Sequence, residues 1–250
     1  MNSAEKTAAL LKLLGLAPYV HGVTELGEKI GCSKSGTYKL LAALVQNGLA
    51  AQTLDRKYTL GPAVYILGKT YEDRIGLSRM IRPYLIRLRD LTGENASFSI
   101  LVGGKANLIY REESLQLVRV AGSVGQERPL YAGSTGKVLG AFQDGRRLMD
   151  EPLTPFTPRT ITSPQALLEE YANIRKQGYA ISDGELNIET IGIGAPVRDE
   201  SGSVWAAISI GAPRMRVDDA KRERYIFLVT EIAAEMSRDL TRGTVGDSLK

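Results

Sequence analysis

The sequence predicts an α+β chain: a helical head carrying a β-hairpin, then a linker helix, then an antiparallel sheet flanked by helices. Three observations predict it. Residues 24–62 read, in order, as helix, tight turn, helix and hairpin. Residues 63–73 and 78–92 carry apolar side chains at three- and four-residue spacing, the mark of amphipathic helices. Beyond residue 96, strand-like runs alternate with helical ones. The expected divisions are a head at 1–62, a linker helix at 63–77, a second domain at 78–242 and a flexible tail at 243–250.

Each element of the head has a local cause. The first helix, Ser3–Leu14, presents Ala8, Leu11 and Leu14 at three-residue spacing with Leu10 beside them. Thr24 is the expected N-cap of the second helix, whose buried edge is Leu26 and Ile30. Gly31-Cys32-Ser33 supplies the turn, with Gly31 as a left-handed C-cap and Ser33 as the next N-cap. In the third helix Leu40, Leu41, Leu44 and Val45 repeat at helical spacing and seat it against the first two. Lys34, Ser35, Thr37, Tyr38 and Lys39 crowd its first turns. A recognition helix inserts this end into the major groove, where hydroxyls and ammonium groups reach base edges and phosphates. After Asn47-Gly48, residues 49–54 and 58–60 read as strands, with Asp55, Arg56 and Lys57 as the basic tip of a wing.

The head is thus expected to be a winged helix-turn-helix that binds duplex DNA. Its candidate contacts are Thr24, Ser33, Lys34, Ser35, Thr37, Tyr38, Lys39, Arg56 and Lys57. The bland alternative is a small helical domain that contacts another protein. Turn, hydroxyl-rich helix start and basic tip together are more specific than the turn alone. Through Pro62, seven basic residues oppose four acidic ones, a net +3. So modest an excess suits a module that gains affinity by dimerising rather than by massive phosphate neutralisation.

Composition excludes several classes. The chain has 250 residues, 43% of them hydrophobic, enough for two domains with a substantial core. Its formal charge of +4 agrees with a nucleic-acid partner without requiring one. One cysteine permits no internal disulfide, which fits a reducing cytoplasm. No apolar run is long enough to span a membrane, and the N-terminus lacks a basic-then-apolar signal. His21 and Cys32, both near the front, cannot assemble a zinc cluster, and a Ser-His-Asp or Cys-His unit lacks a base behind them. His21 is expected in the loop between the first two helices with a surface or packing role, and Cys32 is expected to be a small buried thiol. Asp199-Glu200 sits in turn sequence. Neither cofactor nor metal is expected.

Behind the head, Val64, Leu67 and Tyr71 form one stripe of the linker helix. Arg74-Ile75-Gly76 interrupts it, and Met80, Ile81, Tyr84, Leu85, Leu88 and Leu91 line the next helix. Such a helix after a wing either carries a dimer contact, placing two recognition helices on a palindromic site, or packs on its own domain. Strands are expected at 96–102, 107–111, 117–120, 129–131, 190–198 and 204–211, and helices from Ser163-Pro164 to Lys176 and over 219–240. Ser134-Thr135-Gly136-Lys137 has the look of the end of a phosphate-binding loop, but Tyr131 stands where that motif needs glycine. A nucleotide is therefore not expected. Small residues at a helix start still expose N–H groups that suit a carboxylate.

Six segments in order carry a wider resemblance: residues 31–41, 57–62, 128–137, 178–185, 194–199 and 206–213. Through them the chain resembles the IclR family of transcriptional regulators over nearly its whole length. The resemblance implies a winged helix, a linker helix and a GAF-like domain that binds a small organic effector. It also implies a homodimer or dimer of dimers on operator DNA, repressing or sometimes activating catabolic operons. By motif matching it places Ser134 and Thr135 at the carboxylate end of the effector. Ser182 and Asp183 then fall on a loop, Gly192 on the penultimate strand and Ser209 on the last.

Two positions depart from the family pattern: Gly192, where relatives often carry cysteine, and Ser182, where they often carry a carboxylate. Either the pocket is roomier and takes a bulkier acid, aromatic or sugar-derived, or these are neutral changes at structural positions. Arg111 and Arg128 are candidate countercharges or solvated strand residues. The rivals to a ligand-responsive regulator are an enzyme with a DNA-binding head and a ligand-independent DNA-binding protein.

Overall fold

The computed structural model describes residues 1–143 and 152–242, in two compact units, Met1–Gly76 and the chain from Leu77 onward. The tail expected at 243–250 lies outside the described residues.

In the first unit α1 (Ser3–Leu14) opens on a capping box: Asn2 Oδ1 accepts the Glu5 N–H, and the Glu5 carboxylate accepts the Asn2 N–H. Two more helices follow, α2 (Val23–Lys29) and α3 (Lys34–Gln46), then strands β1 (Ala50–Gln52) and β2 (Tyr58–Leu60). Leu10, Leu14, Leu26, Ile30, Leu41, Leu44, Ala50 and Tyr58 form the core. Burying each large aliphatic contributes about 1.5–3 kcal/mol, so a unit this small rests on few residues. Two expectations are corrected: Ala8 and Val45 face solvent, because the core is centred on the Leu10/Leu14 and Leu41/Leu44 edges of their helices.

His21 is buried and ties the wing to the α1–α2 loop. It exchanges two backbone hydrogen bonds with Tyr58, at 2.9 and 2.8 Å, and its ring reaches Leu16 O and Glu25. Hydrogen bonds from Lys29 and His21 hold the Glu25 carboxyl down to about 2. The linker helix α4 (Pro62–Ile75) buries none of its residues, and left-handed Gly76 ends it. Leu67 and Tyr71 of its expected stripe are exposed, as are Tyr65 and Ile66.

The second unit is built on one antiparallel six-stranded sheet in the order β5-β4-β3-β8-β7-β6. Its strands are β3 (Asn95–Val102), β4 (Lys105–Glu112), β5 (Glu127–Arg128), β6 (Ala180–Asp183), β7 (Thr190–Arg198) and β8 (Val204–Pro213). Two helices, α5 (Leu77–Thr92) and α8 (Asp219–Arg242), lie against β3, β4, β7 and β8. A second pair, α6 (Ser134–Ala141) and α7 (Pro164–Gln177), packs together, and α6 lies on β7 and β8. Ser163 caps the start of α7 and left-handed Gly178 its end.

Three strand expectations are corrected. Residues 117–120 form no strand and leave Leu117 and Val118 exposed. Pairing with β4 occurs at Glu127–Arg128 rather than at 129–131. The segment after Gly178 is an edge strand, β6, where a loop was expected. Four residues are too few for periodicity to register, and their partner lies on β7. In α5, Leu91 is exposed while Ile81, Leu85 and Leu88 face the interior.

Candidate functional site

Register explains how the second unit makes a cavity. One cross-strand row aligns Ser182, Gly192, Gly211 and Asn95, and the next aligns Ala180, Gly194, Ser209, Ser97 and Arg111. Residues in a row share a face. Most are glycine or serine, so this face is shallow, and α6 begins directly above it. A Cβ on Gly192 would lie 2.9 Å from Ser134 Oγ, and one on Gly194 would lie 3.3 Å from Ser134 Cβ. These glycines let the start of α6 approach β7. The space at Gly192 is therefore filled by Ser134, which corrects the picture of a roomier pocket at that position.

A cavity of about 340 Å³ remains between this floor and the start of α6. Ser134, Thr135, Ser182, Gly192 and Ser209 all line it, as do Ser97, Ser99, Arg111 and Arg128. Asp183 does not. Strand alternation turns it to the other side, where Arg214 (2.6 Å), Arg159 (3.3 Å) and Arg222 (3.6 Å) surround its carboxylate. Reading residues 182 and 183 as loop hid that alternation.

The chemistry of the lining is one-sided. Among the described residues it contains two arginines and no carboxylate. Neither guanidinium makes an ion pair among the described residues. Burial lowers the pKa of both, and for Arg128 the like charge of Arg111 lowers it further. One end of Arg111 donates to the Val120 carbonyl, but its Nε is buried without a partner. Four serines, Ser99, Ser134, Ser182 and Ser209, are 3–7% exposed, and their hydroxyls have no hydrogen-bond partner among the described residues. Among the described residues Arg111 Nε is the enclosed lining atom left unpaired, at a cost of about 1–3 kcal/mol, while the serine hydroxyls open onto the cavity. Such a lining matches an oxygen-rich anion in charge and in hydrogen-bonding capacity.

Behind α6 the start of the helix is braced. Glu185 accepts the Gly133 N–H at 3.0 Å and pairs with Lys137 Nζ at 2.5 Å. Lys137, 1% exposed, also reaches Glu170 and the Ile181 carbonyl. The lysine of the phosphate-loop look-alike thus points into an ion-pair network, away from the cavity. Sequence reasoning missed this brace and the polar edge Asn95, Ser97, Ser99. Their period-two polarity was visible, but it is also what a solvent-facing strand edge shows.

In the first unit the start of α3 is presented outward. Lys34, Ser35, Tyr38 and Lys39 are exposed, and Ser33 caps the helix through Gly36 N. Thr37 is fully buried, its hydroxyl donating to Ser33 O, so it is no candidate for DNA contact. Thr24 is exposed but lies inside α2, whose N-cap is Gly22. At the hairpin tip Arg56 is exposed with φ +60°, a conformation cheapest for glycine, and Lys57 lies 3.2 Å from Asp55. Cys32 is half-buried in the turn.

Comparison with known proteins agrees with both halves of this geometry. The model of the IclR helix-turn-helix domain matches residues 3–54, and that of the bacterial transcriptional regulator IclR C-terminal domain matches residues 69–238. The HTH-type transcriptional regulator BhcR of Paracoccus denitrificans is 31% identical over 86% of this chain and 79% of its own. An IclR transcriptional regulator structure from Silicibacter sp. shares the fold at a TM-score of 0.89, with 23% identity over 96% of both chains. So does an IclR homologue from Microbacterium hydrocarbonoxydans in complex with 4-hydroxybenzoate, at a TM-score of 0.80 and 22% identity over 97% of this chain and 100% of that one. Matched over more than half its length by the family's own C-terminal model, and over its front by the helix-turn-helix model, the chain belongs to the IclR family of bacterial transcriptional regulators.

Proposed function

We propose that the chain represses a catabolic operon from a palindromic operator and that a small organic acid in the second unit alters its grip on DNA. The observation that carries this reading is the cavity whose two guanidiniums have no carboxylate partner among the described residues, on a chain headed by a winged helix. An acid that binds two conformations unequally shifts their balance by the difference in its binding energies, and α4 is the covalent route to the head. The 4-hydroxybenzoate held by the Microbacterium homologue supports an acid as the ligand class. The acid is sensed without being transformed in this proposal: among the described residues the lining offers no carboxylate, imidazole or thiol to move a proton. The protein acts in the cytoplasm, with its DNA.

A thermal-shift panel of small carboxylic acids, paired with operator-fragment binding, tests the reading. An acid at about a hundred times its Kd adds roughly 2.7 kcal/mol to the folded state. No acid shifting the melt, together with no promoter fragment held at low ionic strength, defeats it.

Lys34, Ser35, Tyr38 and Lys39 read the groove in this proposal, with Arg56 and Lys57 on the backbone. Lys34→Ala and Lys39→Ala are each expected to weaken operator binding and flatten its salt dependence, by about 0.9 log unit of slope for each phosphate no longer neutralised. Slopes equal to the wild type in both variants remove these lysines from the interface.

The exposed face of α4 supports a homodimer or dimer of dimers, since an apolar face of this size is seldom left wet. Glutamate at both Leu67 and Tyr71 is expected to shift the sedimenting species toward monomer. An unchanged sedimentation coefficient excludes α4 from the assembly.

A further inference from the structure

We infer that the acid held in the cavity carries two anionic groups, one for each end; this rests on the reading of the cavity as an effector site and narrows it. Two separate poles ask for negative charge. At the first, α6 begins with Ser134 and Thr135, whose N–H groups have no acceptor within the helix. Ser134 and Ser182, both more than nine-tenths buried and with no hydrogen-bond partner for their hydroxyls among the described residues, line the cavity there. The nearby Glu185 does not supply the charge, because it is spent on Lys137 and on the Gly133 N–H. At the second pole stand Arg111 on β4 and Arg128 on β5.

Strand order sets the distance between the poles. The start of α6 lies over β7, and β4 is three strands away through β8 and β3. At about 4.8 Å per strand the two backbones stand roughly 14 Å apart, so the arginines enter the cavity from the side away from the start of α6.

Charge counting agrees. A monoacid at the start of α6 leaves both guanidiniums without a countercharge. A monoacid between the arginines leaves the helix start and the hydroxyls of Ser134 and Ser182 unfilled. Either way a half-buried pole keeps its uncompensated groups. A diacid satisfies both poles, and Ser97, Ser99 and Ser209 along the floor suit oxygens on the chain between its ends.

The test is calorimetry on the full chain with succinate, adipate, suberate and terephthalate, each against its own monomethyl ester. The ester keeps the shape and removes one charge. At least one diacid is expected to bind roughly tenfold to a hundredfold tighter than its ester, as one charged hydrogen-bonded end implies. Arg128→Gln is then expected to bring that ratio close to one. Arg128 makes no hydrogen bond among the described residues, so the variant should melt like the wild type. Esters that bind as tightly as their diacids, or a ratio that survives Arg128→Gln, overturn the two-anion inference and leave the acid-sensor reading standing. If neither diacids nor esters bind, both fall together.

Discussion

Lys137→Met is expected to destabilise the second unit by about 3–5 kcal/mol, the usual result of stranding a buried charge. Lys137 is 1% exposed and Glu185 6%. The ammonium sits 2.5 Å from Glu185, 2.7 Å from Glu170 and 2.6 Å from the Ile181 carbonyl. Methionine fills the same channel, so the loss is electrostatic rather than a cavity term. What remains is a buried carboxylate bonded only to the Gly133 N–H. The sign of the second-site change separates this account from simple packing loss. Adding Glu185→Gln removes the stranded charge and keeps an acceptor for Gly133, so the double variant is expected to regain most of the stability. The single tryptophan, Trp205, lies on β8 and reports unfolding of this unit in urea. A Lys137→Met loss below about 1 kcal/mol shows that the pair contributes little beyond an exposed one. Because Glu185 also holds the N-cap of α6, the variant should respond more weakly to any acid that stabilises the wild type.

What was legible in the sequence was what is caused locally. Gly31 is left-handed and Ser33 caps α3, as the turn residues predicted, because cap chemistry involves neighbours in the chain. The expected limits of the first helix coincide with α1 for the same reason. What depends on distant partners was lost. The edge strand β6 exists only because β7 is beside it, and without that pairing Asp183 was placed on the wrong side. Thr37 has the composition of a DNA-facing residue, but a second helix covers it. In the second unit the expected residues Ser134, Gly192 and Ser209 line the cavity, whereas the polar edge of β3 was not foreseen. Asn95, Ser97 and Ser99 acquire their meaning only when register brings them opposite Gly211, Ser209 and Ala207.

Gly27→Ala is expected to weaken operator binding at least tenfold and to lower the melting point of the head. The sign is opposite to that of an ordinary helix interior, where replacing glycine by alanine gains about 1 kcal/mol. Gly27 lies on α2 at its crossing with α3. A Cβ there would sit 2.9 Å from the Cys32 carbonyl oxygen and 2.9 Å from Thr37 Oγ1. The first of these is backbone, fixed by the turn whose Cys32 N–H donates to Gly27 O at 2.9 Å. The methyl group therefore pushes α3 away from α2, at the 1–3 kcal/mol typical of overpacking. Lys34, Ser35, Tyr38 and Lys39 move with α3, and each base edge they no longer reach forfeits about 1–3 kcal/mol of discrimination. Adding Thr37→Ala relieves one clash and leaves the backbone one, so it should restore only part of the affinity. Anisotropy with an operator fragment measures the first effect. The acid-induced thermal shift of the second unit, being separate, should stay as in the wild type. Wild-type operator affinity in Gly27→Ala, with no fall in melting point, would mean that α3 is not held against α2 by this close approach.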